Sequence, residues 1–334
     1  MNIYDISKKA GVSIATVSRV MNGSSNVSEK TRKRILAIMA ENDYTPNAFA
    51  RGLGLNTMKT IGFLCADSSD QFFFRAVYHL ERALRANHYD SILSCTGMEL
   101  ETRAKYLKML LAKRVDAVIL VGSSFIEEDY EKNQYIFDAA AEVPVIILNG
   151  CLDAPNVYCV FCDDKEIVEQ AACAYLDLGI EELLFLYRAD SYSGVRKRKG
   201  FLSAYEKHGL SPDPRRILVF NGTIEEVRNK LLSLSQEGLS FRTVICGDDE
   251  LAVGALKYAK AKNLSVPSDF NVLGYNNSQL GICCDPELST IDNRLEFCCS
   301  HAVNTLMSVL DGASPPGKTM FSARILQRGT TNVF

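Results

Sequence analysis

Two short amphipathic segments separated by a three-residue turn constrain this chain more than any other feature. Ile3, Ile6 and Ala10 recur at helical spacing and predict a first helix with one apolar face. Gly11 follows, a residue able to adopt the positive φ that ends a helix. Ser13 is a favoured N-cap, so a second helix is expected to start there, with Ile14, Ala15, Thr16 and Arg19 near its open end and Val17 and Val20 facing back to a core. A short helix of small residues presented by a tight turn is the layout of a helix-turn-helix recognition helix, and an ordinary αα-hairpin shares that pattern.

The next stretch favours the first reading. Met21 to Asn26 is a loop by composition, and Ser28 is placed to cap a third helix, Glu29 to Glu41. Ile35, Ile38 and Met39 stripe one face of that helix, while Lys30, Arg32, Lys33 and Arg34 crowd the rest. Residues 1–58 hold eight Lys/Arg and four Asp/Glu, against 29 and 36 in the remainder, so a head of net charge +4 sits on a body of net charge −7. A basic head on an acidic body fits a DNA-binding module joined to something that does not touch DNA.

Pro46 ends the third helix, Asn47 to Leu53 is a short helix-capable piece, and Gly54 to Lys59 reads as a linker. From Thr60 the chain alternates strand-like runs with helical stretches, which implies parallel sheets. The runs are Ile61–Cys65, Ser91–Ser94, Ala117–Val121, Val145–Leu148, Tyr158–Phe161, Leu183–Tyr187, Ile217–Phe220, Val244–Cys246 and Val272–Leu273. The body is too long for one core, so the expected fold is an all-α helix-turn-helix head plus a two-lobed α/β body with a cleft between its lobes.

Several other function classes find no support. No apolar run approaches a membrane span, and the N-terminus lacks a basic region followed by an apolar one, so a cytoplasmic protein is expected. Eleven cysteines without a secreted context read as reduced thiols. Cys159 and Cys162 form a Cys-x-x-Cys, but inside a strand-like run rather than at a helix start, and no histidine is near, so neither a metal nor a redox cofactor is expected. Gly312 to Thr319 satisfies a phosphate-binding loop pattern letter for letter. It follows a helical stretch and precedes a strand-like one, and Pro315 and Pro316 remove two backbone donors, so it is read as a loop at a lobe crossover. No nucleophile–base pair points to an enzyme.

The whole chain resembles the LacI/GalR family of bacterial transcription regulators. The head matches in Asp5–Ser13, Ala15–Gly23 and Val27–Arg32, the hinge in Tyr44–Leu53 and Lys59–Gly62, and the body in Asp249–Leu256 and Asn271–Tyr275. The resemblance implies a head over residues 1–45, a hinge and linker over 46–58, and a periplasmic-binding-protein-like body over 59–334. Its lobes would span about 59–159 with 291–318, and 160–290 with 319–334, joined by three crossing strands. It also implies a homodimer on a pseudo-palindromic operator. Ile14, Ala15 and Arg19 are suited to base edges, and Thr16, Asn22 and Ser28 to phosphate oxygens; by similarity these are DNA-contacting positions, as is Asn47 in the hinge. Leu53 stands where relatives wedge a leucine into the minor groove. Gly52 departs from the better helix formers usual there, at a cost of about 0.5–1 kcal/mol, so the hinge is expected to need DNA and dimerisation to fold.

By the same resemblance a small effector binds between the lobes. Asp70, Phe72 and Phe73 follow the first strand of the body; Asn149, Asp248 and Asn276 end later strands or start helices. Arg196 to Phe201 resembles an Arg-x-x-Gly-Phe element with Lys197 in the arginine's place, leaving either Lys197 or Arg196 as the contact. Amides and carboxylates beside an aromatic wall suit a neutral sugar, with a nucleoside, purine or phosphosugar corepressor as the alternative.

Overall fold

The computed structural model describes residues 1–21, 24–44 and 57–334. Asn22, Asn47, Gly52 and Leu53 therefore lie outside the described residues. The head is three helices, α1 (Ile3–Ala10), α2 (Ile14–Met21) and α3 (Glu29–Glu41). Asn2 and Asp5 form a capping box at the start of α1, and Gly11 ends it at φ 61°. Ser13 Oγ accepts from the Thr16 amide at 3.2 Å, which opens α2. Ile6, Ala10, Val17, Val20, Ile35 and Met39 close into one small core.

The body is two sheets of six strands. The first contains β1 (Thr60–Cys65), β2 (Asp90–Cys95), β3 (Ala117–Val121), β4 (Val145–Leu148), β5 (Val157–Cys162) and β11 (Lys318–Phe321), in the order β11-β5-β4-β3-β1-β2. All its pairings are parallel. The second contains β6 (Leu183–Tyr187), β7 (Ile217–Val219), β8 (Thr243–Cys246), β9 (Asn271–Tyr275), β10 (Ser289–Asp292) and β12 (Arg324–Leu326), in the order β12-β10-β9-β8-β6-β7. Only β12 runs antiparallel to its neighbour among these described strands. The chain leaves the first sheet after Cys162, returns after Asp292 and crosses again after Phe321.

Helices cover both faces of each sheet, as near-continuous apolar strands require. The ones that matter below are α4 (Gln71–Ala86), α5 (Leu100–Ala112), α6 (Gln134–Glu142), α7 (Asp164–Leu176), α8 (Tyr192–Lys207), α9 (Ile224–Gln236), α10 (Asp249–Ala261), α11 (Gln279–Ile282) and α12 (Leu295–Leu310). Where the linker enters the body, Asp116 at the start of β3 accepts from the Met58 and Thr60 amides at 3.0 and 2.9 Å, fixing the lower end of β1. Side chains alternate along β5, so Cys159 packs into the core on one face and Cys162 into the core on the other. The two thiols of the Cys-x-x-Cys thus cannot converge on one ion. Gly312 to Thr319 runs from the end of α12 into β11, just before the third crossing. Among the described residues no helix is long and apolar enough to cross a membrane.

Candidate functional site

Strands β2-β1-β3-β4-β5 and β7-β6-β8-β9-β10 repeat one topology, in which the order reverses beside β1 and beside β6. Crevices at such reversals, outside the carboxyl ends of the strands, are where open α/β sheets bind ligands. Here the two crevices face each other and enclose a cavity of about 510 Å³, within the range of small-ligand sites. The first lobe contributes the ends of β1, β3 and β4; the second contributes those of β6, β8 and β9.

Asp70 N-caps α4, its Oδ1 accepting from the Phe72 and Phe73 amides at 2.8 and 3.3 Å. Burial pushes this carboxyl above its usual range, against those two bonds. Phe72 and Phe73 meet edge to face at 5.6 Å and do two jobs, packing on the first-lobe core and walling the cavity. Gly122, just past β3, makes room for this arrangement. It sits at φ 111°, ψ 160°, a conformation open essentially to glycine, and a Cβ there would overlap the Phe73 ring. Asn149 ends β4 with φ 66°, and its amide donates to the Val160 carbonyl at 2.8 Å.

Across the cavity, Arg188 directly follows β6. Its Nε donates to Asp248 Oδ2 at 2.6 Å and its Nη2 to Glu250 Oε2 at 2.6 Å. Nη1 donates to Asn221 Oδ1 and the Gly222 carbonyl at 3.1 and 3.3 Å. Asp248 also caps α10, accepting from the Leu251 amide at 2.9 Å. Burial raises the Glu250 carboxyl, with Arg188 opposing the rise.

Lys197 lines the cavity floor. Its Nζ donates to the Gly247 carbonyl at 3.0 Å and lies 3.6 Å from the Tyr275 ring centroid. Burial lowers its pKa. The Tyr275 hydroxyl bonds the buried Asp164, which also accepts from Ser193 Oγ at 2.5 Å. Arg196 turns away: it does not line the cavity, because its guanidinium is held on Asp163 at 2.5 Å. One residue of helix rotation, about 100°, separates the two side chains, and it is Lys197 that faces inward. Gly200 lets α8 lie directly on α7, where a Cβ would overlap the Lys165 carbonyl, and Phe201 fills the core beneath. The Gly-Phe pair is thus a packing element, and the lysine three residues before the glycine is the polar group it delivers.

Of the residues expected at an effector site, Asp70, Phe72, Phe73, Asn149, Lys197, Asp248 and Asn276 line this cavity together. Sequence reasoning missed Arg188, Glu250, Tyr187 and the hydroxyls of Ser123, Ser191 and Ser193. Arg188 carried a usable signal, since it is the first polar residue after an unbroken apolar strand, and strand ends are where such sheets bind.

On the head, Ile14, Ala15 and Arg19 are exposed on one side of α2 while Val17 and Val20 are buried. Thr16 Oγ1 lies 2.9 Å from Ser13 Oγ, and Ser28 Oγ donates to Thr31 Oγ1 at 2.9 Å while capping α3. Both hydroxyls therefore serve helix starts.

Residues 2–47 match the family model described as bacterial regulatory proteins, lacI family, and residues 58–319 match that of periplasmic binding proteins and the sugar binding domain of the LacI family. The chain belongs to the LacI family. An HTH-type transcriptional regulator of Lachnoclostridium phytofermentans is 51% identical over 332 residues, covering 99% of this chain and 100% of that protein. The crystal structure of the lac repressor dimer bound to operator and the anti-inducer ONPF superposes with a TM-score of 0.87 at 21% identity, covering 99% and 98% of the two chains. A complex of the transcriptional regulator CelR with cellobiose gives 0.71 at 22% identity, covering 99% of each. The LacI-family body accounts for the paired sheets, and the family's head for the three helices before them.

Proposed function

We propose that this LacI-family protein is a cytoplasmic repressor that binds a pseudo-palindromic operator as a homodimer and is controlled by a neutral, polyhydroxylated effector, a sugar, held between its lobes. The observation that carries the choice of effector is the state of the two cavity cations. Every donor nitrogen of Arg188 is already engaged by Asp248, Glu250, Asn221 or Gly222. Lys197 is committed to Gly247 and the Tyr275 ring. With Asp67, Asp70, Asp248 and Glu250 around the same space, carboxylates outnumber cations. An anion would enter without a free partner and lose its hydration. Hydroxyls that donate to carboxylates and stack a pyranose face on Phe72 or Phe73 suit the wall better. This argues against the phosphosugar alternative.

Exposure of Ile14, Ala15 and Arg19 along one side of α2 supports base contact in a major groove, Ile14 by apolar contact with thymine methyls and Arg19 by forked donation to guanine. Exposed Phe74 and Tyr78, one turn apart on α4, support a second copy as partner. Binding is the better use of the cavity than turnover: Ser123 and Ser191 pair with each other at 3.0 Å, and among the described residues no histidine lines the space. Ligand and operator favour different lobe arrangements, so a coupling of about 1–3 kcal/mol gives roughly 5–150-fold regulation.

The test is a gel shift on the promoter DNA of the protein's own gene, with sugars and their phosphates added in parallel. Sequence-specific binding that one or more neutral sugars modulate, with the matching phosphate at least about tenfold weaker, is expected. No preference for promoter DNA at moderate salt would sink the regulator reading, and a phosphosugar acting more strongly than its parent sugar would sink the effector reading.

A further inference from the structure

One polar contact between the lobes has an unusual acceptor. Arg75, one turn into α4 of the first lobe, places a single nitrogen, Nη1, against two consecutive main-chain carbonyls of the second lobe, Asn276 at 2.9 Å and Asn277 at 2.8 Å. Both asparagines have positive φ, 93° and 46°. Two successive left-handed residues are what turn adjacent carbonyls toward one cation, and asparagine tolerates that region better than other side chains. The loop they form is held from every other side as well. The Asn276 amide donates to the Ile291 carbonyl at 2.8 Å, and Asn276 Oδ1 accepts from Asn293 Nδ2 at 2.9 Å. Asn277 Oδ1 accepts from Arg328 Nη2 at 2.7 Å. Asn276 also lines the cavity, and Asn293 lies on the crossing between β10 and α12.

A three-way junction results: the loop touches the ligand space, the crossing and, through Arg75, the opposite lobe. We infer that Arg75 is a positioning residue for regulation, the group through which the first lobe registers the state of the Asn276–Asn277 loop and so transmits cavity occupancy toward the head. The inference rests on the regulator reading above but needs no knowledge of the effector. Arg75 reaches the second lobe through hydrogen bonds to backbone alone, so it does not compete with Asn293 or the cavity for the Asn276 side chain. A ligand that shifts Asn276 changes the distance from its carbonyl to the Arg75 nitrogen, while Asn277 stays held by Arg328 and Thr290.

The experiment uses the full-length protein. Arg75→Met keeps most of the stem and removes the donors. Arg82→Met is the control, because Arg82 lies on the same helix and pairs with Glu296 inside the first lobe. Hydrogen exchange of the peptide covering 274–280 reports the loop, and fluorescence anisotropy on labelled promoter DNA reports the output. Arg75→Met is expected to speed exchange in that peptide about tenfold and to shift operator Kd about fivefold or more, with melting temperature held within a few degrees. Arg82→Met is expected to leave both readouts unchanged, and Arg75→Lys to recover part of the operator shift. Unchanged exchange overturns the clamp; faster exchange with an unchanged operator Kd overturns the transmitting role. Failure of the wild-type protein to prefer promoter DNA would instead overturn the regulator reading, and the transmitting role with it, while the exchange data still decide the clamp.

Discussion

Replacing Arg188 by methionine should expose how the cavity is held together. The substitution keeps an apolar stem and removes the only cation within hydrogen-bond reach of both Asp248 and Glu250 among the described residues. Removing one partner of a buried ion pair costs about 3–5 kcal/mol, whereas exposed pairs are worth about 0–1. The Arg188 side chain is 25% exposed, and those of Asp248 and Glu250 are 17% and 34% exposed, so the lower end of the buried range applies, about 3 kcal/mol. For a lobe of this size that corresponds to a fall in Tm of roughly 6–12 °C at neutral pH. The loss should depend on pH. Asp70 and Glu250 already have raised carboxyl pKa values, chiefly through burial, and Arg188 counters the rise in both. A raised acid binds its proton more tightly in the folded protein, so its contribution favours folding below the ordinary carboxyl range and is lost as pH rises through the folded value. Without Arg188 those folded values rise further, so the deficit should widen from pH 4.5 to 7 and narrow again on acidification. Calorimetry or circular dichroism melts of wild type, Arg188→Met and Arg188→Lys across that range measure it. The lysine should restore less than half, since one ammonium cannot reach both carboxylates and Asn221 as the fork does. A Tm loss that is under about 3 °C, or that is the same at pH 4.5 and 7, would refute the assignment of Arg188 as the neutralising centre.

Gly122→Ala combines a backbone conformation disallowed to alanine with overlap on Phe73, and should cost about 2–4 kcal/mol. A double-mutant cycle with Phe73→Leu should recover the steric part and leave the backbone part. Arg19→Met should weaken operator binding by about 1–3 kcal/mol and relax specificity at one base pair, whereas Lys30→Met should weaken all sequences alike and lower the salt slope by about one; titrations at several salt concentrations separate the two. Lys197→Met should reduce sugar binding in a thermal-shift assay while Arg196→Met, which frees only Asp163, leaves it within about twofold.

Much of this molecule is written in local pattern. The ends of α3, the Ser13 cap and the central strands of both sheets follow from capping chemistry and apolar runs, which act over a few residues. Strand β10 did not stand out, because Ser289, Thr290 and Asp292 read as a polar loop. They are buried because distant groups satisfy them: Thr290 Oγ1 donates to Asp249 at 2.6 Å, and the Ser289 amide donates to Thr330 Oγ1 at 2.8 Å. Such partners lie about 40 residues away, beyond any periodicity. The choice between Arg196 and Lys197 was closed to sequence reasoning for a related reason. Helix phase decides it, and the close approach of α8 to α7 at Gly200 sets that phase. Arg188 was missed because its role rests on Asp248 and Glu250 after β8 and on Asn221 after β7, brought in by two different connections.

The clamp that Asp116 places on Met58 and Thr60 has a mechanical meaning. It ties the start of β1 to the bottom of the first sheet, while the other end of the strand opens onto the cavity. Six residues of strand span about 20 Å, so no effector bound at the top can touch the linker at the bottom. What passes along a hydrogen-bonded, fully packed strand is tilt, not chemistry. A rotation of about 5° at one end displaces the other by roughly 2 Å, an amount that matters to two heads that must meet successive grooves of one duplex. The body then works as a lever with a fixed arm, indifferent to which hydroxyl moved it and sensitive to anything that softens the arm.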